Sequence, residues 1–163
     1  MALCLILAVS GASKKPSGDT APFPLRWSFA GGELPVGVTC RNLSFSAAPS
    51  KFPSRSGITF TAEEQPGSLL FPLEHPRTDA QELVVTWACT PSSPREVPTL
   101  SLAEKPGHRE SVVPLPCRST LAVQEDSIPW KQLCRPRQRR ETPYLELRVP
   151  PGQELFLRSI TLR

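Results

Sequence analysis

No stretch longer than twelve residues keeps a 3.6-residue apolar period without meeting a proline. The chain carries 20 prolines. Interior proline removes a helix hydrogen bond and clashes with the preceding turn, so helical bundles and coiled coils are excluded. No apolar run approaches the ~20 residues that span a bilayer as a helix. Chemical signatures are equally sparse. There is no G-x-S-x-G, Walker loop, H-E-x-x-H or G-x-G-x-x-G, which removes the recognisable hydrolase, nucleotide-binding and metalloprotease patterns. No C-x-x-C occurs and neither histidine sits at ligand spacing from a cysteine, so a zinc site is not expected. With three Trp and one Tyr, not interleaved with the basic run at 135–140 except for Trp130 five residues upstream, the stacking platforms of a nucleic-acid surface are missing. No cofactor is expected.

What remains is a chain of 163 residues, 39% apolar and 21% charged. That composition supports a packed core and is not the signature of disorder.

The N-terminus offers the first positive signal. Ala2 to Val9 read ALCLILAV, which fits the apolar region of a secretory signal peptide. Ser10, Gly11 and Ala12 supply the small residues that a signal peptidase reads. No Lys or Arg precedes the run. The expected division is a signal at 1–12, a flexible leader at 13–22 and a single β-sandwich domain at 23–163. The C-terminus reads LFLRSITLR, with no anchor pattern, so a secreted protein without a transmembrane segment is expected.

Cysteine arithmetic agrees with export. Cys4 leaves with the signal, and Cys40, Cys89, Cys117 and Cys134 form an even set of disulfide candidates. Four cysteines allow three pairings, and the sequence does not choose among them. Asn42-Leu43-Ser44 is an N-glycosylation acceptor. Cys40 and Asn42 would share a face in a regular strand. Either the strand ends near Arg41, or a bulge re-aims Asn42, or the acceptor is unused.

From Leu25 onward, short apolar segments alternate with Pro, Gly and Ser clusters. Strands are expected at 25–30, 36–40, 43–46, 58–62, 68–73, 82–89, 99–103, 111–115, 120–124, 144–149 and 154–162. This spacing is that of an all-β, antiparallel sandwich of 8–11 short strands, jelly-roll or immunoglobulin-like, with little or no helix. The one candidate helical turn is 119–127. In 82–89, Leu83, Val85, Trp87 and Cys89 share one face, and Val84, Thr86 and Ala88 the other. A strand apolar on both faces belongs in the middle of a sheet. In 144–149, Leu145, Leu147 and Val149 face inward and Tyr144, Glu146 and Arg148 outward. Pro150-Pro151-Gly152 then predicts a hairpin to the last strand. In that strand, Leu155, Leu157, Ser159 and Thr161 oppose Phe156, Arg158, Ile160 and Leu162, and the pattern leaves the buried face open.

Val36-x-Val38-x-Cys40 followed by Trp87-x-Cys89 resembles the immunoglobulin pattern over about half the chain. No Trp lies between Cys40 and Trp87, and Trp87 stands where that family has a Tyr. The resemblance implies a sandwich architecture and no more.

The densest charge is Arg135-Pro136-Arg137-Gln138-Arg139-Arg140. Without its four arginines the net charge falls from +4 to zero. Arg137 to Arg140 resembles a proprotein-convertase site, with cleavage after Arg140. As an intact patch the arginines suit sulfated glycans or acidic lipid, through bidentate guanidinium bonds. In an intracellular protein they would read as a nuclear signal or RNA contact. A solvated loop is the plain alternative. His75 and His108 lie in turn-like surroundings with no motif around them, which speaks against catalysis. Glu63-Glu64 and Glu125-Asp126 read as solubilising loop charges.

The expected role is therefore an extracellular binding domain, a ligand, antagonist or receptor ectodomain that engages a protein partner. The alternatives are a carbohydrate- or heparan-sulfate-binding module, a small secreted hydrolase, and an intracellular basic protein. A carbohydrate module calls for exposed aromatics, with Trp27 and Trp130 as the residues to watch.

Overall fold

The structure is a computed structural model that describes residues 25–47, 52, 56–73, 80–90, 96–103, 109–118, 122–134 and 144–163. The signal at 1–12, the leader at 13–22, His75, His108 and Arg135 to Arg140 lie outside the described residues.

Eleven strands are described: β1 Leu25–Ser28, β2 Thr39–Arg41, β3 Ser44–Ser46, β4 Ile58–Thr61, β5 Gly67–Pro72, β6 Glu82–Thr90, β7 Thr99–Ala103, β8 Arg109–Pro114, β9 Gln124–Pro129, β10 Tyr144–Val149 and β11 Glu154–Leu162. One helical turn, α1, covers Trp130–Leu133. The first sheet runs β3-β4-β11-β6-β9, with β1 also paired to β11; the second runs β2-β5-β10-β7-β8. Every pairing is antiparallel. The expected all-β sandwich is what the chain forms.

Apolar side chains from both sheets meet between them. Trp27 of β1 meets Phe71 of β5 edge-on, with ring centroids 5.2 Å apart. Phe29 makes perpendicular contacts with Phe60 at 5.8 Å and Phe71 at 6.2 Å. Such contacts add about 0.5–1.5 kcal/mol each beyond the area they bury. Trp87 and Trp130 are also core residues. β6 lies between β11 and β9, and Leu83, Val85, Trp87 and Cys89 all face the core, as its pattern requires. Its other face is covered locally, where Ala88 packs with Phe52 and Phe156.

β11 resolves its own ambiguity with a bulge. Its register against β6 shifts between Leu157 and Ser159. The extra residue, Arg158, reverses the alternation. Leu155 and Leu157 before it, and Ile160 and Leu162 after it, all reach the core. Neither of the two faces read from a straight strand is correct. On its other edge β11 pairs twice, through Glu154–Leu157 with β4 and through Ser159–Leu162 with β1.

The expected hairpin at Pro150-Pro151-Gly152 is not one. β10 pairs with β5 and β7, whereas β11 pairs with β1, β4 and β6. The connection is an arch from one sheet to the other. Proline has no N–H to give to a ladder, and Gly152, at φ 68, donates its N–H to Ala62 and Glu63 carbonyls at 2.8 Å.

Three smaller expectations also change. β2 starts at Thr39 because Pro35 to Val38 form a tight turn, closed by the Val38 N–H on the Pro35 carbonyl at 3.0 Å. Gly37 takes φ 81 there, the conformation a type II turn demands at its third position. The helical turn expected within 119–127 gives way to β9, whose inward positions are Asp126 and Ile128; the helix comes later, at α1. Glu146, expected to face water, is buried, and its Oε1 accepts the Ser68 hydroxyl at 2.6 Å. Among the described residues, no helix is long and apolar enough to cross a membrane.

Candidate ligand-binding end of the sandwich

The strand registers gather four connections at one end of the sandwich. Thr61 lies beside Glu154, which lies beside Thr90. In the second sheet, Arg41 pairs with Ser68, which pairs with Arg148, which pairs with Thr99. The turns leaving these residues therefore converge. They are 42–43 after β2, 62–66 after β4, the stretch at 96–98 before β7, and the arch at 150–153.

Hydrogen bonds hold them together. The Ala62 N–H donates to the Gln153 carbonyl at 3.1 Å, and the buried Gln153 amide donates to the Glu96 carbonyl at 2.6 Å. The Leu115 N–H reaches the Pro98 carbonyl at 2.8 Å. Asn42 settles the conflict with Cys40. β2 ends at Arg41, and Asn42 turns to φ 51, exposed to solvent. Asparagine tolerates this left-handed conformation better than most residues. Leu43 then folds back over Gly67, where a Cβ would lie 2.2 Å from its Cδ2. Only glycine leaves that space.

Two open clefts result. The larger, about 470 Å³, is lined by Asn42, Leu43 and Ser44 on one wall and Thr61, Glu63, Glu64 and Gln65 on the other. The smaller, about 400 Å³, is lined by Pro66, Glu96, Val97, Thr99, Arg148, Pro150 and Pro151. The first cleft offers two amides, two hydroxyls and two carboxylates around one apolar side chain. Glu63 and Glu64 sit in a loop after β4, so the strand alternation that would send adjacent carboxylates to opposite faces does not apply. They line the cleft and are not merely the solubilising loop charge that their sequence suggests. Their only distinguishing signal was their place between a strand end and Pro66-Gly67.

The other expected site residues are scattered. Cys40 lies on β2, Cys89 on β6, Cys117 in the β8–β9 connection and Cys134 after α1; all four are thiols. The Cys117 thiol donates to the Cys89 carbonyl at 3.3 Å. Burial first, and then a side-chain hydrogen bond with Cys117, push the Cys89 thiol well above the usual range. Glu125 faces out, whereas Asp126 is buried and fully engaged. It accepts the Trp87 indole N–H at 2.7 Å, the Gln124 amide at 2.8 Å and the Arg118 guanidinium at 2.6 Å. The Gln124 amide also donates to the Pro116 carbonyl at 3.0 Å. This is a structural clamp, since the carboxylate is spent on protein donors. Trp27, Trp87 and Trp130 are all in the core, so none forms a stacking platform. Among the described residues, no aromatic ring lines either cleft. Phe45, on edge strand β3, is 48% exposed but lies against Phe60.

No family model matches the chain, and no curated protein matches its sequence. Solved structures do resemble its fold. A mutant of CBM29-2, a family 29 carbohydrate-binding module, superposes with a TM-score of 0.55 at 9% identity, over 87% of this chain and 92% of that one. CBM29_1 from Piromyces equi gives 0.55 at 11% identity, over 85% and 88%. The cleaved adhesin domain of Lys-gingipain from Porphyromonas gingivalis gives 0.57 at 12% identity, over 87% and 98%. At these identities the likeness is one of fold.

Proposed function

We propose that the chain is an extracellular, non-catalytic binding domain whose ligand is a carbohydrate held in the larger cleft. The observation that carries this reading is the convergence of Asn42, Ser44, Thr61, Glu63, Glu64 and Gln65 on one open hollow. Amides and carboxylates grip neighbouring hydroxyls of a sugar, and hydrogen bonds to charged acceptors contribute about 1.5–3 kcal/mol each. The sandwich shared with carbohydrate-binding modules supports the reading by analogy of fold alone. The N-terminal apolar run supports export. A glycan suits these polar walls better than the protein partner that the sequence first suggested.

Charge narrows the ligand class. Glu63 and Glu64 repel sulfate and carboxylate groups, so the cleft favours neutral or N-acetylated sugars over heparan sulfate. A sulfated glycan belongs to a second reading, carried by the four arginines within 135–140 and independent of the cleft.

A glycan array followed by calorimetry separates the two. Binding of neutral glycans that weakens at least tenfold in a Glu63→Gln/Glu64→Gln variant of unchanged melting temperature supports the cleft. Binding restricted to sulfated glycans and untouched by that variant overturns it in favour of the arginines.

A further inference from the structure

We propose that Cys89 and Cys117 form the one disulfide among the described residues, with Cys40 and Cys134 remaining thiols. The pairing is stated by contact. Cys89 is the penultimate residue of β6, and the Cys117 sulfur reaches across from the β8–β9 connection to its carbonyl at 3.3 Å. With its sulfur already against the Cys89 backbone, Cys117 needs rotation about the two Cα–Cβ bonds to bring the sulfurs together.

The remaining two cysteines are kept apart by topology. Cys40 is on β2, one edge of the second sheet, and Cys134 follows α1, which packs on β8, β6, β7 and β9. Three strands separate β2 from β8. At ~4.8 Å per strand the gap is about 19 Å, far beyond the ~7 Å that a disulfide tolerates between Cα atoms. The even cysteine count thus overstates the number of bridges.

The chemistry needs an external disulfide, such as oxidised glutathione. Cys117 is half-buried and Cys89 buried, so the Cys117 thiolate attacks first. It forms a mixed disulfide and releases one glutathione thiol. Cys89 then loses its proton, attacks the Cys117 sulfur and releases the second. Two protein thiols are oxidised and one external disulfide is reduced to two thiols.

The staple has a functional position. Glu96, Val97 and Thr99 line the smaller cleft. The chain reaches them from Cys89, and Leu115, two residues before Cys117, holds Pro98 by its N–H. A bond between the two sulfurs ties both supports of that wall together. It also closes a 28-residue separation, and removing that loop entropy from the unfolded chain raises the melting temperature by about 10 °C.

The test uses the full chain, incubated with oxidised glutathione, alkylated without reduction and mapped by peptide mass spectrometry. The expected result is one cross-linked peptide joining Cys89 to Cys117, with Cys40 and Cys134 alkylated. Any link through Cys40 or Cys134, or alkylation of all four after oxidation, overturns the proposal. Cys134→Ser is expected to leave the cross-link and the redox-dependent melting shift in place. Loss of either in that variant also overturns it. Neither readout involves a sugar, so failure here leaves the proposed function standing, and the reverse.

Discussion

The Trp87 indole N–H donates to the buried Oδ2 of Asp126 at 2.7 Å, tying β6 to β9 beneath the core. Asp126 sits on the edge strand of its sheet. Replacing it with alanine strands a buried indole donor. The expected loss is about 2–3 kcal/mol, measured by urea denaturation. Arg118 also binds Asp126, but its side chain is 68% exposed. Arg118→Ala is therefore expected to cost no more than ~1 kcal/mol. A double-mutant cycle of Trp87→Phe with Asp126→Ala checks the coupling directly. Additivity within ~0.5 kcal/mol contradicts it.

The bulge at Arg158 makes a second prediction. Deleting Arg158 removes the extra residue and leaves Leu157 and Ser159 opposite the adjacent residues Trp87 and Thr86, so Ile160 and Leu162 stay inward. The deletion variant is expected to fold, with a native β spectrum by circular dichroism. An unfolded deletion variant contradicts the assignment of Arg158 as the unpaired residue of the bulge. Arg158→Ala, which keeps the register and removes only an exposed side chain, is expected to melt like the parent.

Acid stability should depend on Glu82. A hydrogen bond from Ser127, and then one from Arg163 at 2.7 Å, lower its pKa below 4.5. A carboxylate with a depressed folded pKa stabilises the fold above its unfolded value and loses that contribution as pH falls through the folded one. Glu82→Gln should therefore flatten the decline of melting temperature below pH 4.5 and leave it similarly shaped above. An unchanged acid limb in the variant contradicts the assignment.

Asn42 stands in an N-glycosylation sequence and also forms part of a wall of the larger cleft. A glycan on Asn42 would occupy the space a free sugar needs. Protein from mammalian cells is expected to bind free glycan weakly until the attached one is removed. Bacterial protein, which carries no attached glycan, should bind without any such treatment. Equal affinity of glycosylated and deglycosylated protein separates the two roles.

The fold class and most strand segments were legible because proline and turn residues punctuate the chain at strand length; the strand expected at 120–124 forms instead at Gln124–Pro129. β6 was legible in detail because alternation runs unbroken from Leu83 to Cys89. The arch at Pro150-Pro151-Gly152 was misread because periodicity reports which side chains are buried and is silent on which sheet they join. β11 was ambiguous for a related reason, since a bulge at Arg158 leaves no mark in composition. Asp126 looked like surface charge because its partner, Trp87, lies 39 residues away. The larger cleft was invisible for the same cause. Asn42 to Ser44 and Thr61 to Gln65 come together only after β3 has paired with β4.

β11 forms ladders with β1, β4 and β6, which places the scaffold of the first sheet in Glu154–Leu162. A ribosome delivers those residues after all their partners. Until Leu162 has emerged, Trp27, Phe60 and Trp87 have no common strand to organise them, and their apolar faces stand open to other chains. Maturation of this protein is therefore a waiting problem. Its yield in a cell should follow the supply of chaperones that hold unfinished β chains more closely than it follows the stability of the finished sandwich.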